Sequence, residues 1–288
     1  MRRQALPGRD KPVGLILGDL ALVQSRCIEC DWGVGCHGCH GCKVPPTQYW
    51  TAASSESLSS MEAMSSVAVK SILGFVQLLV FLGVALFAPA WTIDYWQAWV
   101  YLPVFAGASA LITTYLWKHD PNLLERRLNA GPAAEKEKSQ KRIQILASIA
   151  FLGEMTLPSI DHRFAWSHIS FLITIAGDLL VLLGFFVVFL VFKENTFTSA
   201  TIEVDPGQRV VSTGPYAILR HPMYAGALIM LFGTPIALGS WWGILMLLPM
   251  VFVLVLRILD EEKFLRFRLP GYTDYCRRVK FRLAPLIW

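Results

Sequence analysis

Apolar runs long enough to suggest membrane helices recur along the chain from residue 67 onwards. A bilayer core of roughly 30 Å needs about 20 apolar residues per helix, and the third, fifth and sixth runs are shorter, so we expect these three to tilt or break. Only Gly239 and Ser240 separate the last two runs, which predicts a tight helical hairpin. The six runs cover residues 69–91, 98–117, 143–158, 169–192, 223–238 and 241–256.

The composition of the chain supports the same class of fold. Of the 288 residues, 54% are hydrophobic and only 16% are charged, whereas about a quarter of the residues are charged in a typical soluble domain. The sequence therefore predicts an all-α polytopic membrane protein with about five to six transmembrane helices and a C-terminal helical hairpin. Residues 67–288 form the predicted membrane domain.

Residues 1–66 differ from the rest of the chain and are predicted to be a poorly ordered leader rich in Cys and Ser. They hold five of the six cysteines, in the stretch CIECDWGVGCHGCHGC, and a polar segment of this kind disfavours a packed core. Cysteine and histidine are zinc ligands, but their spacing here matches no regular zinc finger, so no metal site is predicted. We expect the leader to be dispensable, with translation beginning at Met61 or Met64.

The basic residues are distributed in a way that predicts the orientation in the membrane. All but Arg163 of the 26 Lys and Arg residues lie in residues 1–70, 118–142, 193–222 and 257–288, which six spans would place on one side. Cytoplasmic loops carry this excess of basic residues. Both termini are therefore predicted to be cytoplasmic, in a protein of the inner (cytoplasmic) membrane. The net charge of +5 is explained by topology, without a nucleic-acid partner.

The cytoplasmic ends of the last two runs carry the side chains that point to a ligand site. The segment GPYAILRHPMYAG, residues 214–226, leads into the fifth run, and the hairpin brings it beside Arg257, Glu261 and Glu262. Arg257 and Glu261 are four residues apart and share a helix face. An arginine fork binds a carboxylate or phosphate, the acids accept bonds from an ammonium or from ribose hydroxyls, and tyrosine rings stack on a base or face a cation. This set suits a cationic, nucleotide-like zwitterion such as S-adenosylmethionine.

A family resemblance rests on three pieces of the chain: GPYAILRHPMYAG, the EE pair at 261–262, and GYTDYCRRVKFRLAPLIW at 271–288. Together they resemble the isoprenylcysteine carboxyl methyltransferase family, which shares its C-terminal pattern with phospholipid N-methyltransferases. The resemblance is carried mainly by residues 195–288 and does not cover residues 1–60. It implies an integral membrane methyltransferase that binds S-adenosylmethionine in a cytoplasmic pocket, without a Rossmann domain.

The resemblance also implies roles for individual residues. Arg257 matches the arginine that faces the methyl acceptor, and Glu261 matches an acid that binds the cofactor. These two are the candidate catalytic residues. The candidate cofactor-binding residues are Gln208, Val210, Val211, Tyr216, His221, Pro222, Met223, Tyr224, Glu261 and Glu262.

The implied activity is methyl transfer to a lipid-like acceptor that enters from the bilayer, with the carboxylate of an isoprenylcysteine-type substrate as the first expectation. A carboxylate is ionised at neutral pH and needs no base, which suits Arg257 because its guanidinium stays protonated. A phospholipid N-methyltransferase is the alternative, and its amine acceptor would need a base such as His221 or Glu262. A membrane reductase related to sterol reductases and a non-catalytic scaffold are further alternatives.

Overall fold

The computed structural model describes residues 46–128, 133–135, 137–198, 207–285 and 288, with side chains from residue 67 onwards. Two compact units divide the chain, Met1–Ser59 and Ser60–Trp288. The cysteine-rich stretch of the predicted leader lies outside the described residues. Residues 46–66 are helical, so the leader boundary predicted at residue 66 falls within a helix.

Eight α-helices form the regular structure of the described residues, together with two short 3₁₀ turns, Gly214–Ala217 and Trp242–Met246. The helices are α1 (Pro46–Ala90), α2 (Trp96–His119), α3 (Pro121–Leu128), α4 (Lys138–Phe164), α5 (Phe171–Glu194), α6 (Pro222–Ala237), α7 (Leu247–Arg268) and α8 (Tyr272–Arg278). The all-α prediction is confirmed. Within the part of the chain that the structure describes, five stretches are long and apolar enough to cross a membrane: Val67–Ala90, Trp96–His119, Lys138–Phe164, Phe171–Glu194 and Trp242–Arg268.

Hydropathy alone underestimates the length of two of these helices. The third apolar run lies within a stretch of 27 helical residues, Lys138–Phe164, and all but the first residue of the sixth run lies within another of 27, Trp242–Arg268. Polar side chains near their ends are buried inside the protein, such as Gln140 at 1% exposure and Glu262 at 3%, so polarity there does not end the helix. The prediction of marginal length is wrong for these two runs. It is right for the fifth, because the 16 residues of α6 extend only about 24 Å.

Helix α6 packs directly against α5, backbone to backbone. A Cβ atom added at Gly184 would lie 2.6 Å from the carbonyl oxygen of Gly226, and one added at Gly233 would lie 2.8 Å from the carbonyl oxygen of Gly177. The higher-numbered glycine of α5 faces the lower-numbered glycine of α6, so the two helices are antiparallel. Small residues allow membrane helices this close an approach. The glycines therefore allow the short helix α6 to pack closely against the longer helix α5.

The predicted hairpin between α6 and α7 is present, and its turn is anchored to α4. Gly239 adopts φ +76°, a conformation that favours glycine. Ser240 Oγ donates a hydrogen bond to the Asp161 carboxylate, and Ser167 Oγ donates to the same carboxylate oxygen at 2.6 Å. The turn is thus fixed at one end of the bundle, while the start of α6 and the end of α7 meet at the other.

The glycine contact between α5 and α6 can be tested by adding one methyl group. Gly184→Ala should lower the thermal unfolding midpoint of the detergent-solubilised protein, because overpacking typically costs about 1–3 kcal/mol. Gly107→Ala in α2 is the matched control, since an added Cβ there meets no heavy atom within 4 Å and alanine is the better helix former. Equal midpoints for the two variants would contradict the close contact.

Candidate active site

A cavity lies where α6 begins, between the turn Gly214–Ala217, residues 208–211 and the end of α7. Pro222 is the first residue of α6, so a helix begins at the cavity wall. Ten of the eleven predicted site residues line this one cavity: Gln208, Val210, Val211, Tyr216, His221, Pro222, Met223, Tyr224, Arg257 and Glu261. Glu262 does not line it.

The sequence analysis did not single out several other residues of the cavity wall. Asn195, Phe197 and Thr198 follow directly after α5, and Tyr275 of α8 closes another side. Asn195 Nδ2 donates a hydrogen bond to the Tyr216 hydroxyl at 3.1 Å. A polar run at the end of an apolar span was the available signal, but hydropathy does not show that this run folds back onto Tyr216.

Tyr224 joins the two candidate catalytic residues. Its hydroxyl donates to Glu261 Oε2 at 2.8 Å and accepts from Arg257 Nε at 3.0 Å. Tyr224 lies in the first turn of α6, whereas Arg257 and Glu261 occupy successive turns of α7. This chain of hydrogen bonds therefore fixes the orientation of both charged groups relative to the start of α6.

The Arg257 guanidinium is also held from the opposite side, by residues around the start of α4. Its Nη1 donates to Gln144 Oε1 at 3.0 Å and to Gln140 Oε1 at 3.3 Å. Its Nη2 lies 3.0 Å from Glu135 Oε1. Only 8% of the residue is exposed, so Arg257 presents a buried positive charge in a fixed orientation. The four-residue spacing of the two glutamines in an apolar helix was the sequence signal for this contact.

The tyrosines of the cavity are neutral under ordinary conditions. Burial raises the pKa of Tyr216 to about 12, and burial also raises the pKa values of Tyr272 and Tyr275. The Tyr275 hydroxyl donates to the main-chain carbonyl of Tyr216 at 2.8 Å, which fixes the turn that carries this ring. These residues therefore offer ring faces and hydroxyl groups to a ligand, and no negative charge.

Glu262 points away from the cavity, although it is adjacent to Glu261 in the sequence. Successive residues of an α-helix lie about 100° apart around the axis, so the two carboxylates leave α7 on different faces. Glu262 accepts hydrogen bonds from Arg220 Nη1 at 2.6 Å and from Arg282 Nε at 3.1 Å. His221 Nε2 lies 3.5 Å from the same carboxylate. Glu262 is thus surrounded by basic groups beneath the cavity wall.

The cavity can recognise ligand groups of both charges. Glu261 lines it as a hydrogen-bond acceptor, and the rings of Tyr216 and Tyr224 are surfaces on which a base or a cation can rest. Arg257 supplies the positive charge at the side toward α4. A zwitterion and a separate anionic group could therefore be bound next to each other.

Two comparisons with known proteins each match about a third of this chain. Residues 172–268 match the family model of phospholipid methyltransferases, a range that includes α6, α7 and the turn between α5 and α6. A Delta(14)-sterol reductase from Mus musculus is 30% identical over 95 residues, which cover 31% of this chain and 22% of the reductase. This chain thus spans about a fifth of that relative's length. The chain is thus similar to phospholipid methyltransferases over residues 172–268, and its described residues include five helices long and apolar enough for an integral membrane protein.

Proposed function

We propose that the protein is an S-adenosylmethionine-dependent methyltransferase that modifies a lipid-like acceptor. The acceptor group that the site suits best is the carboxylate of an isoprenylcysteine-type substrate. The observation that carries the proposal is the Tyr224 hydroxyl, which joins an acid suited to the cofactor, Glu261, to an arginine suited to an anion, Arg257, in one cavity.

The donor set of the cavity fits S-adenosylmethionine. Glu261 can accept hydrogen bonds from the cofactor's ammonium or ribose hydroxyls, and such charge-assisted bonds are the stronger ones. The rings of Tyr216 and Tyr224 can face the adenine or the sulfonium. Gln208, Val210, Val211, His221, Pro222 and Met223 complete the proposed wall around the cofactor.

S-adenosylmethionine supplies a methyl group that its sulfonium already activates, so that an ionised carboxylate can accept this group without a base. Arg257 would orient the carboxylate by its charge and planar fork. Tyr224 would hold the side chains of Arg257 and Glu261 in fixed positions relative to each other, and this would place the acceptor beside the cofactor. The proposed mechanism is therefore one of positioning and charge placement.

A phospholipid amine is the second candidate acceptor, favoured by the family model that the chain matches. An amine must lose a proton before it attacks the methyl group. Glu262 is poorly suited as that base, because arginine side chains already bind its carboxylate and its exposure is 3%. His221 lies against Glu262 and lines the cavity. It is the better placed of the two bases considered above.

The side of the membrane proposed for the site follows from the distribution of basic residues. Arg257, Arg220 and the basic residues of the last segment lie at the same end of the bundle as the cavity. Basic residues favour the cytoplasmic side. We place the cavity and both termini there, in the inner membrane, so that the cofactor enters from the cytoplasm and the acceptor from the bilayer.

Cofactor binding is the first prediction of this proposal. Detergent-solubilised protein should bind S-adenosylmethionine saturably in a calorimeter, and Glu261→Ala should weaken binding about tenfold or more, since bonds to charged groups contribute about 1.5–3 kcal/mol. Asp274→Ala is the matched control, because this carboxylate is 73% exposed on α8. The proposal fails if folded wild-type protein binds no S-adenosylmethionine, and binding of a reduced nicotinamide dinucleotide instead would favour a reductase.

The chemistry of the product distinguishes the two acceptors. With methyl-labelled cofactor, a farnesylated cysteine analogue should yield a methyl ester that alkali hydrolyses to methanol, whereas phosphatidylethanolamine would yield an alkali-stable N-methyl group. Arg257→Lys keeps the charge but loses the fork. It should lower kcat for the ester about tenfold or more while cofactor affinity changes little. Label found only in N-methylated lipid would refute the carboxylate assignment.

A further inference from the structure

A buried carboxylate outside the cavity holds together the elements that form its wall. Glu262 is 3% exposed and receives basic side chains from three parts of the chain. Arg220 precedes α6, Arg266 lies one turn further along α7, and Arg282 lies in the segment after α8. A buried acid with this many partners is stable only while they remain in place. Glu262 therefore couples the positions of these three elements.

Main-chain hydrogen bonds show which segments the carboxylate holds together. Leu219 and Phe281 form a parallel bridge. The Arg220 amide donates to the Phe281 carbonyl at 2.9 Å, and the His221 amide donates to the Arg282 carbonyl at 3.0 Å. The segment around residue 281 thus lies alongside residues 219–221, immediately before Pro222. The two segments approach each other as short extended chains and not as helices.

The side chain of Arg220 also stabilises the contact between these two segments. One guanidinium nitrogen donates to Glu262 Oε1 at 2.6 Å, and the other terminal nitrogen donates to the Lys280 carbonyl at 2.7 Å. Arg282 lies in the other segment, and it donates to Glu262 through Nε at 3.1 Å and through Nη2 at 3.2 Å. The acid and the two arginines therefore form one clamp, which we define as Arg220, Glu262 and Arg282.

We propose that Glu262 is a positioning residue, which acts through this clamp and does not touch the cofactor. By fixing residues 219–221 against the segment around residue 281, the clamp places Tyr216 and His221 at the cavity wall and sets where α6 starts. The two adjacent acids then differ in role: Glu261 meets the ligand, and Glu262 holds the wall. The inference rests on the proposed function only in so far as the ligand is S-adenosylmethionine.

Amide hydrogen exchange tests the clamp without any ligand. Glu262→Gln should speed exchange of the Arg220 and His221 amides and weaken S-adenosylmethionine binding about tenfold. Glu261→Gln is the matched control. It should weaken binding while these two amides keep their protection. Arg282→Gln should reproduce both effects of Glu262→Gln, and combining the two substitutions should add little, because both break the same unit.

The outcomes separate the clamp from the alternatives. Weakened binding in Glu262→Gln with unchanged amide exchange would make Glu262 a direct ligand and would overturn the proposal. If Glu262→Gln does not fold, Arg282→Gln is the milder variant, since Arg282 is 23% exposed. It should show the same faster exchange, and unchanged exchange would overturn the proposal. Wild-type protein that binds no S-adenosylmethionine would refute the proposed function, while the exchange data would still decide whether the clamp exists.

Discussion

Helices α5 and α6 touch backbone to backbone where Gly184 faces Gly226 and Gly177 faces Gly233. The positions of the site residues on α6 depend on this contact. With its 16 residues, α6 is too short to hold its depth in a bilayer by length alone. Packing on α5 fixes the depth of α6 in the bundle, and the first residues of α6 form part of the cavity wall. A shift of one turn would move Tyr224 by about 5.4 Å and break its bonds to both Glu261 and Arg257.

Charge at the site is arranged in two layers. In the cavity, Tyr224 separates and orients Glu261 and Arg257. Beneath the wall, the clamp neutralises Glu262 with arginines. Charges at the end of a membrane helix are stable when they are paired or reach water. In this arrangement Glu261 and Arg257 line the cavity, where a ligand can meet them, while Glu262 holds the scaffold together.

Much of the fold follows from the sequence, because hydropathy records which stretches the bilayer can hold. It fails at α4, where the helix begins at Lys138 and includes Gln140, ahead of the apolar run of residues 143–158. The side chains of Gln140 and Gln144 are satisfied by Arg257, a partner more than a hundred residues away. For the site, the sequence indicated that the two acids matter and that they lie about 100° apart on a helix. It could not indicate which acid faces the cavity, since that depends on how α7 is rotated against α6.

The central claim is that S-adenosylmethionine occupies the cavity where α6 begins. The most direct measurement is a structure determined with S-adenosylhomocysteine, the product form of the cofactor, bound to the full chain. The account predicts density for this molecule between the Tyr216 turn and Glu261, with Glu262 still bound to Arg220 and Arg282. Density at any other place on the protein, or contact between the ligand and Glu262, would contradict the account.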